Sequence, residues 1–364
     1  MVTAAAVAGC VLGAAAPAGA AVSAATVAPR GFLPMSTSWP APQRGIVLGY
    51  ASRTAGAQPY LIETGDGGHR WRRLPAPPVP FPADNDQPDA TWADGVIAVT
   101  DGTRIVATHD GGRRWSAVRL PGVPAPSATS LYISHLTIAG GRMFALVSQG
   151  GNGTGSVTVY SGRARGGVLR PVRGLSVTGG ISYGDISAVG GLQVDLGSNY
   201  ASERYWLSRD GVHFVPGPLP CPASTVALLG GVRKGKPSAL CSGSPGDAGP
   251  GQNDKQVWTT AHPGGTFSPS GPVFVSPDQQ GFAAASGQDM TIATAFDLSV
   301  TFDAGKTWTS QLGQASGAYW TDLAFPSATT GVVDCSTVDS SGNQVATVYR
   351  TTDAGHSWHA LSLP

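Results

Sequence analysis

The stretch THDGGRRW, Thr108–Trp115, sets a Gly-Gly turn between a threonine, an aspartate and a tryptophan at fixed offsets. The same offsets recur in TGDGGHRW from Thr64, TFDAGKTW from Thr301 and TTDAGHSW from Thr351, so all four read T-x-D-x-G-x-x-W. Four copies of so tight a pattern do not come from composition. They mark an internal repeat, and a repeat of this length points to an array of small supersecondary units.

The intervals locate further copies. Thr64 to Thr108 is 44 residues, Thr301 to Thr351 is 50, and the 193 residues from Thr108 to Thr301 hold four such intervals. Three decayed copies fit there. SRDGVHF from Ser208 keeps Asp210 and puts Phe214 near the tryptophan position. TAHPGGTF from Thr260 has His262 for the aspartate, keeps Gly264 and has Phe267 for the tryptophan. SGRARGGV from Ser161 keeps only the leading hydroxyl and a Gly-rich tail.

Each clear copy lies between short apolar runs. PYLIE leads into the first, TRIVA into the second, DLSV into the sixth and ATVYR into the seventh. The pattern therefore reads as a turn between two strands. Thr64, Thr108, Thr301 and Thr351, with Ser208 in the decayed copy, supply a hydroxyl for backbone N–H groups. Asp66, Asp110, Asp210, Asp303 and Asp353 supply a carboxylate for the same purpose, as in Asx- and ST-turns. Gly68, Gly112, Gly305 and Gly355 take a positive φ without steric cost. Trp71, Trp115, Trp308 and Trp358 open the next strand with a large apolar face. No chemistry is needed to explain these residue types.

The rest of the chain agrees. It has 364 residues, 51 Gly, 29 Pro and only 12% charged residues, about half the usual charged share. After residue 30 no long segment shows the apolar period of a helix. Runs such as GIVLGY, VIAVT, RMFALV and SVTVY lie between Gly, Pro, Ser and Asn clusters instead, which is the pattern of many short strands. An all-β fold is expected.

These turns resemble Asp-boxes, the bacterial neuraminidase repeats found in β-propellers of the sialidase, sortilin and photosystem II assembly-factor kinds. The resemblance implies a seven-bladed β-propeller of four-stranded antiparallel blades, with each box joining a third strand to a fourth. It covers residues 29–364 as a single domain. WHALSLP would complete the last outer strand, and the ring would close by packing of blade seven on blade one, without strand exchange. The resemblance is specific for fold and weak for function.

Residues 1–28 are Ala-rich and uncharged and read as a secretory signal peptide, with small-residue cleavage options after Ala20 or Ala24. VAGC, ending at Cys10, also resembles a lipoprotein box, which would tether the protein to the cell surface. No later apolar run is long enough to span a bilayer as a helix. A secreted or surface-anchored monomer is expected. In an oxidising compartment Cys221 and Cys241 are candidates for a disulfide. Against it, a hairpin centred near Arg233 pairs Cys241 with about Val226, and two buried thiols are the alternative. Cys335, in GVVDCS, reads as a buried strand thiol.

Charge is polarised along the chain. Residues 1–173 hold 15 Arg, no Lys and 8 acids, a net of +7; residues 174–364 hold 4 Arg, 4 Lys and 14 acids, a net of −6. Arg72, Arg73, Arg113 and Arg114 stand in or beside adjacent boxes, and the positive sector they begin is a candidate site for an acidic protein or an anionic cell-envelope polymer. Solvated outer-strand arginines are the plainer reading. The overall charge of +1 argues against nucleic acid.

Catalysis has less support. No Arg-Ile-Pro segment of the sialidases is present, and Glu203 with Tyr200 or Tyr205, in NYASERYW, is the one local Tyr/Glu arrangement. A glycoside hydrolase acting at the loop-rich face is the second reading. The acid-rich loop holding Asp84, Asp86, Asp89 and Asp94 lacks the glycine and closing glutamate of a calcium loop, and no His or Cys spacing suits zinc. No metal and no cofactor are expected. Trp39, Trp92, Tyr183 and Trp320 are candidates for the channel mouth, with inter-blade packing as their alternative.

Overall fold

The computed structural model describes residues 27–364 apart from 83–87, 124–129, 152–153, 200, 224, 234, 244–251, 278, 314–317 and 339–342. Residues 1–26, with Cys10, lie outside the described residues, while Val27 and Ala28 pack with Val47, Ile62 and Val348. Seven antiparallel sheets follow one another along the chain, over residues 33–74, 89–118, 130–179, 182–217, 226–277, 279–313 and 319–360. Each is a meander of four consecutive strands, and the sheets form a seven-bladed β-propeller. Blade five adds a fifth strand, Phe274–Pro277, paired to the end of Gln252–Thr259 that Ser268–Pro269 leaves free. Among the described residues no helix is long and apolar enough to cross a membrane.

All seven repeat positions fall between the third and fourth strands, for example between Pro59–Thr64 and Arg72–Leu74, and between Gln344–Thr351 and His359–Ala360. The four full copies share one bonding pattern. The threonine hydroxyl donates to the aspartate at 2.6–2.9 Å and accepts the N–H of the conserved-offset glycine at 2.9–3.0 Å. The same aspartate oxygen accepts the N–H four residues on, from Arg70, Arg114, Thr307 or Ser357, at 2.8–3.0 Å. These bonds satisfy backbone donors that a tight turn would otherwise bury unpaired. Ser208 starts a turn one residue shorter, in which Gly211 replaces the later glycine as donor at 2.9 Å, and this puts Phe214 where the others have tryptophan. Ser161 has left the pattern, and its hydroxyl instead accepts from Arg142 Nε at 3.2 Å.

Each turn rests on the blade before it. A Cβ at Gly112 would stand 2.7 Å from Pro75 O, at the exit of blade one, and Trp115 Nε1 donates to that same oxygen at 3.3 Å. Gly305 meets Val257 of blade five in the same way. The ring closes by packing. Trp71 of blade one donates to Ser362 O at 3.2 Å, Arg350 Nη2 donates to Pro42 O at 3.1 Å, and Val47, Ile62 and Val348 share one apolar cluster with Trp71, Leu361 and Leu363. The cores lie between blades, where alternate strand residues interdigitate: Val159, Val194 and Trp206 between blades three and four, and Leu298, Trp320 and Trp358 between six and seven.

Candidate functional site

In each blade the first strand is an inner edge, with N–H groups that no strand of its own blade takes up. Side chains of neighbouring blades supply many of the acceptors. Asp322, on Tyr319–Ala324 of blade seven, accepts Thr37 N of blade one at 2.6 Å. Ser36 and Ser38 of blade one accept Ala90 N and Trp92 N of blade two, each at 2.9 Å. Asp89 of blade two accepts Leu136 N of blade three at 3.0 Å, and Asp185 of blade four accepts Leu229 N of blade five at 2.7 Å. From blade five to blade seven the inner contacts are apolar: Gly230 abuts Phe282, and Gly281 abuts Leu323.

This belt surrounds a cavity of about 910 Å³, with Asp89, His135, Asp185, Asp322, Tyr132 and Tyr319 on its wall; no lysine or arginine lines it among the described residues. The wall is acidic, with Asp89, Asp185 and Asp322 each half-buried. Burial pushes the carboxyls of Asp89 and Asp185 up, with His135 acting against it in both cases. Burial and then repulsion from Asp89 raise Asp322 to about 8. Asp89 and Asp322 share the Ser36 hydroxyl as a neighbour. None of these acids was singled out as a channel residue from the sequence. The available signal was an acid inside an otherwise apolar first-strand run, as in SYGDIS and YWTDLAF.

The acid-rich loop does not act as one cluster. Asp84 and Asp86 lie outside the described residues. Asp89 turns into the channel, while Asp94, past the other end of Asp89–Ala93, accepts Gly141 N of blade three at 2.6 Å. Among the described residues no group of three or more His, Cys, Asp or Glu is arranged to hold a metal ion.

The structure separates the Tyr/Glu arrangement. Tyr205 OH donates to Gln193 Oε1 at 2.5 Å, whereas Glu203 accepts from Ser198. Tyr200 lies outside the described residues. Of the four aromatics expected near the channel mouth, Trp39, Trp92 and Trp320 border the cavity but are mostly buried, Trp92 and Trp320 in inter-blade packing and Trp39 under Arg350 of blade seven. Trp39 and Trp92 sit towards the far ends of their strands, Trp39 over Gly45 and edge-on to Trp71, and Trp92 under the Arg44 guanidinium. Tyr183 is half-buried, its hydroxyl 3.0 Å from Ser202 Oγ.

The arginines of blades one to three lie on the outside. Arg70, Arg72, Arg73, Arg113, Arg114, Arg119, Arg163, Arg165, Arg170 and Arg173 are exposed. Arg72 pairs with Glu63 at 2.5 Å, and Arg73 stacks on Tyr60 at 4.6 Å. Blades two and three are tied at this rim: Arg119 N donates to Gly167 O and Leu169 N to Arg119 O, both at 2.9 Å. Arg165 extends back over Gly95 of blade two. The basic residues of blades two and three meet at this rim, and none of the exposed arginines lines the cavity.

Cys221 and Cys241 are joined, with Cα atoms 5.4 Å apart. In the hairpin register Cys241 faces Ala227, so strand pairing alone would not bring the two together. Cys221 sits before the strand Val226–Arg233, in the connector from blade four, and reaches Cys241 from there. Cys335 is buried, and burial, then the neighbouring Asp334, push its thiol up to about 12.

No protein-family model matches the chain, and no curated protein sequence does. Solved structures share its fold. A polysaccharide lyase of family PL25, an ulvan lyase, superposes with a TM-score of 0.51 at 7% identity over 88% of this chain and 92% of that one. An acylaminoacyl peptidase superposes at 0.50 and 10% identity over 92% of this chain and 53% of the peptidase. The β-propeller domain of the trilobed protease of Pyrococcus furiosus gives 0.49 at 8% over 92% and 96%. At such identities the likeness is one of fold alone.

Proposed function

We propose that this chain is an exported Asp-box propeller, residues 29–364 behind a leader of residues 1–28, that acts as a binding or scaffolding module at the cell exterior. Its arginine sector docks an anionic partner, an acidic protein or an anionic envelope polymer. The observation that carries the reading is the run of exposed arginines on blades one to three, tied between blades two and three, set against channel acids already used as acceptors for neighbouring blades. Guanidinium groups suit carboxylate and phosphate partners through paired N–H donors. An exposed surface suits an extended partner better than a small ligand. The test is to change Arg72, Arg73, Arg113 and Arg114 to Glu together. Binding to poly-glutamate and to polyphosphate should fall, and wild-type binding should weaken with salt. Undiminished retention of both probes and of envelope material would remove the reading, and a loss confined to one probe identifies the partner chemistry.

A glycoside hydrolase is the second reading. One observation favours it: Asp89 and Asp322 lie beside each other on the cavity wall, sharing the Ser36 hydroxyl as a neighbour, and a pair of carboxyls at one site suits acid–base work on a glycosidic bond. A fluorogenic glycoside screen tests it. Turnover lost in both Asp89→Asn and Asp322→Asn would support hydrolysis, and no turnover on any substrate would dismiss it.

A further inference from the structure

Two seams of the ring differ from the rest. On the blade-four side of the seam with blade five, Asp185 stands directly opposite Asp195 in the strand register, a placement that brings Cβ atoms to about 4.5–5.5 Å and sets like charges against each other. Asp195 is fully buried, and its Oδ1 has no hydrogen-bond partner among the described residues. Between blades seven and one the pairing partner of Asp334 is Thr321, and the irregularity that follows, with Asp322 at φ 55°, carries Asp322 beside Asp334. Asp334 is buried, and neither of its oxygens has a partner among the described residues. In both pairs the first acid is the one that binds the next blade, through Leu229 N or Thr37 N.

We propose that these two seams are proton-held latches: each joins its blades tightly while its carboxyl pair retains a proton, and loss of that proton loosens the seam.

The surroundings support this. Asp195 has Asp185 opposite it and accepts from Ser202 Oγ at 2.9 Å, with Tyr183 and Tyr205 close by on blade four; from blade five, Leu229 N–H is taken by Asp185 and apolar Ala227 packs in the same core as Tyr205. Asp334 has Asp322 and Cys335 of blade seven beside it; Asp322 in turn meets Thr37 N–H and Ser36 of blade one, Asp89 of blade two and Tyr319 of blade seven, which neighbours Arg53. His135 acts on Asp89 and Asp185, Arg53 gives one N–H to Ser336 Oγ at 2.9 Å and leaves its Nε unpaired, and among the described residues no cation forms an ion pair with Asp195 or Asp334. A buried carboxylate without a cation or a full set of donors is costly, so the neutral form is favoured. Burial accordingly holds both Asp195 and Asp334 well above the usual carboxylate range. The folded ring keeps protons that the unfolded chain has released, so stability from these groups is full below the unfolded value and declines as pH rises through the folded one.

Amide hydrogen exchange of the whole chain at Leu229 and Thr37 tests the latches. Trp92 N serves as the control, because its acceptor, the Ser38 hydroxyl, does not titrate in this range. As pH rises from mildly acidic to alkaline, exchange at Leu229 and Thr37 should outpace Trp92 by about tenfold per pH unit for each proton released. Asp195→Asn should remove the excess at Leu229 only, and Asp334→Asn at Thr37 only. Equal pH dependence at all three amides, or an excess that survives both substitutions, would overturn the proposal. If a variant fails to fold, infrared spectroscopy of the wild type decides: protonated carboxyl absorption that persists at neutral pH and disappears as the seams open supports the latches, and its absence at neutral pH sinks them.

Discussion

Gly68 and Leu361 are in contact across the closure of the ring: a Cβ built on Gly68 would lie 2.9 Å from Leu361 Cδ2. The first repeated turn therefore sits on the tail of the last blade, as Gly112 sits on Pro75 and Gly305 on Val257. The glycine offset in the repeat answers two demands together, a φ of +87° to +99° in the four full copies and the absence of a side chain. Replacement with Ala should cost more than the ordinary 1 kcal/mol or so of a misplaced alanine. Thermal unfolding should show Gly112→Ala, whose methyl meets a backbone oxygen, falling further than Gly68→Ala, whose methyl meets a movable leucine.

The threonine of the turn makes the most bonds for its size. Thr351 is fully buried, donates to Asp353 at 2.6 Å and accepts Gly355 N at 3.0 Å. Thr351→Val keeps the shape and leaves a buried N–H unpaired, which should cost about 1–3 kcal/mol. Ser161→Ala, in the copy that has lost the turn's bonds, should cost clearly less in the same denaturant titration.

The turn carboxylates set the acid limit of stability. Bonds from Thr307 hold Asp303 at about 2. In Asp353 burial works the other way, and the Ser357 and Thr351 bonds outweigh it, again to about 2. The His213 bonds lower Asp210 further. Folded values below the unfolded one mean that this stabilisation is present above about pH 4 and is lost as pH falls towards 2. Melting temperature should drop across that window, and Asp303→Asn should flatten part of the drop.

The disulfide closes a loop across a sequence separation of 20 and ties the blade-four connector to the second strand of blade five. Cys221→Ser with Cys241→Ser should destabilise the chain by about 3 kcal/mol in urea unfolding. Cys335 should resist thiol reagents in the native protein at neutral pH and react on unfolding, because it is buried and its thiolate is disfavoured.

What the sequence determined by itself was the turn and, through its spacing, the blade. The threonine and aspartate bonds of THDGGRRW and its full copies link residues no more than four apart, so the residue types and offsets are the structure, and the seven positions, full and decayed, give seven blades. The disulfide was only half legible, because Cys221 reaches Cys241 from outside the hairpin that contains its partner. The channel belt was decided by tertiary structure. Thr37 meets Asp322 across 285 residues, Asp89 meets Leu136 across 47 and Asp185 meets Leu229 across 44. Nothing local distinguishes these acids from solvated ones. Their role follows from an inner edge that exists only once the ring has closed, and the same assembly buried Trp92 and Trp320 between blades.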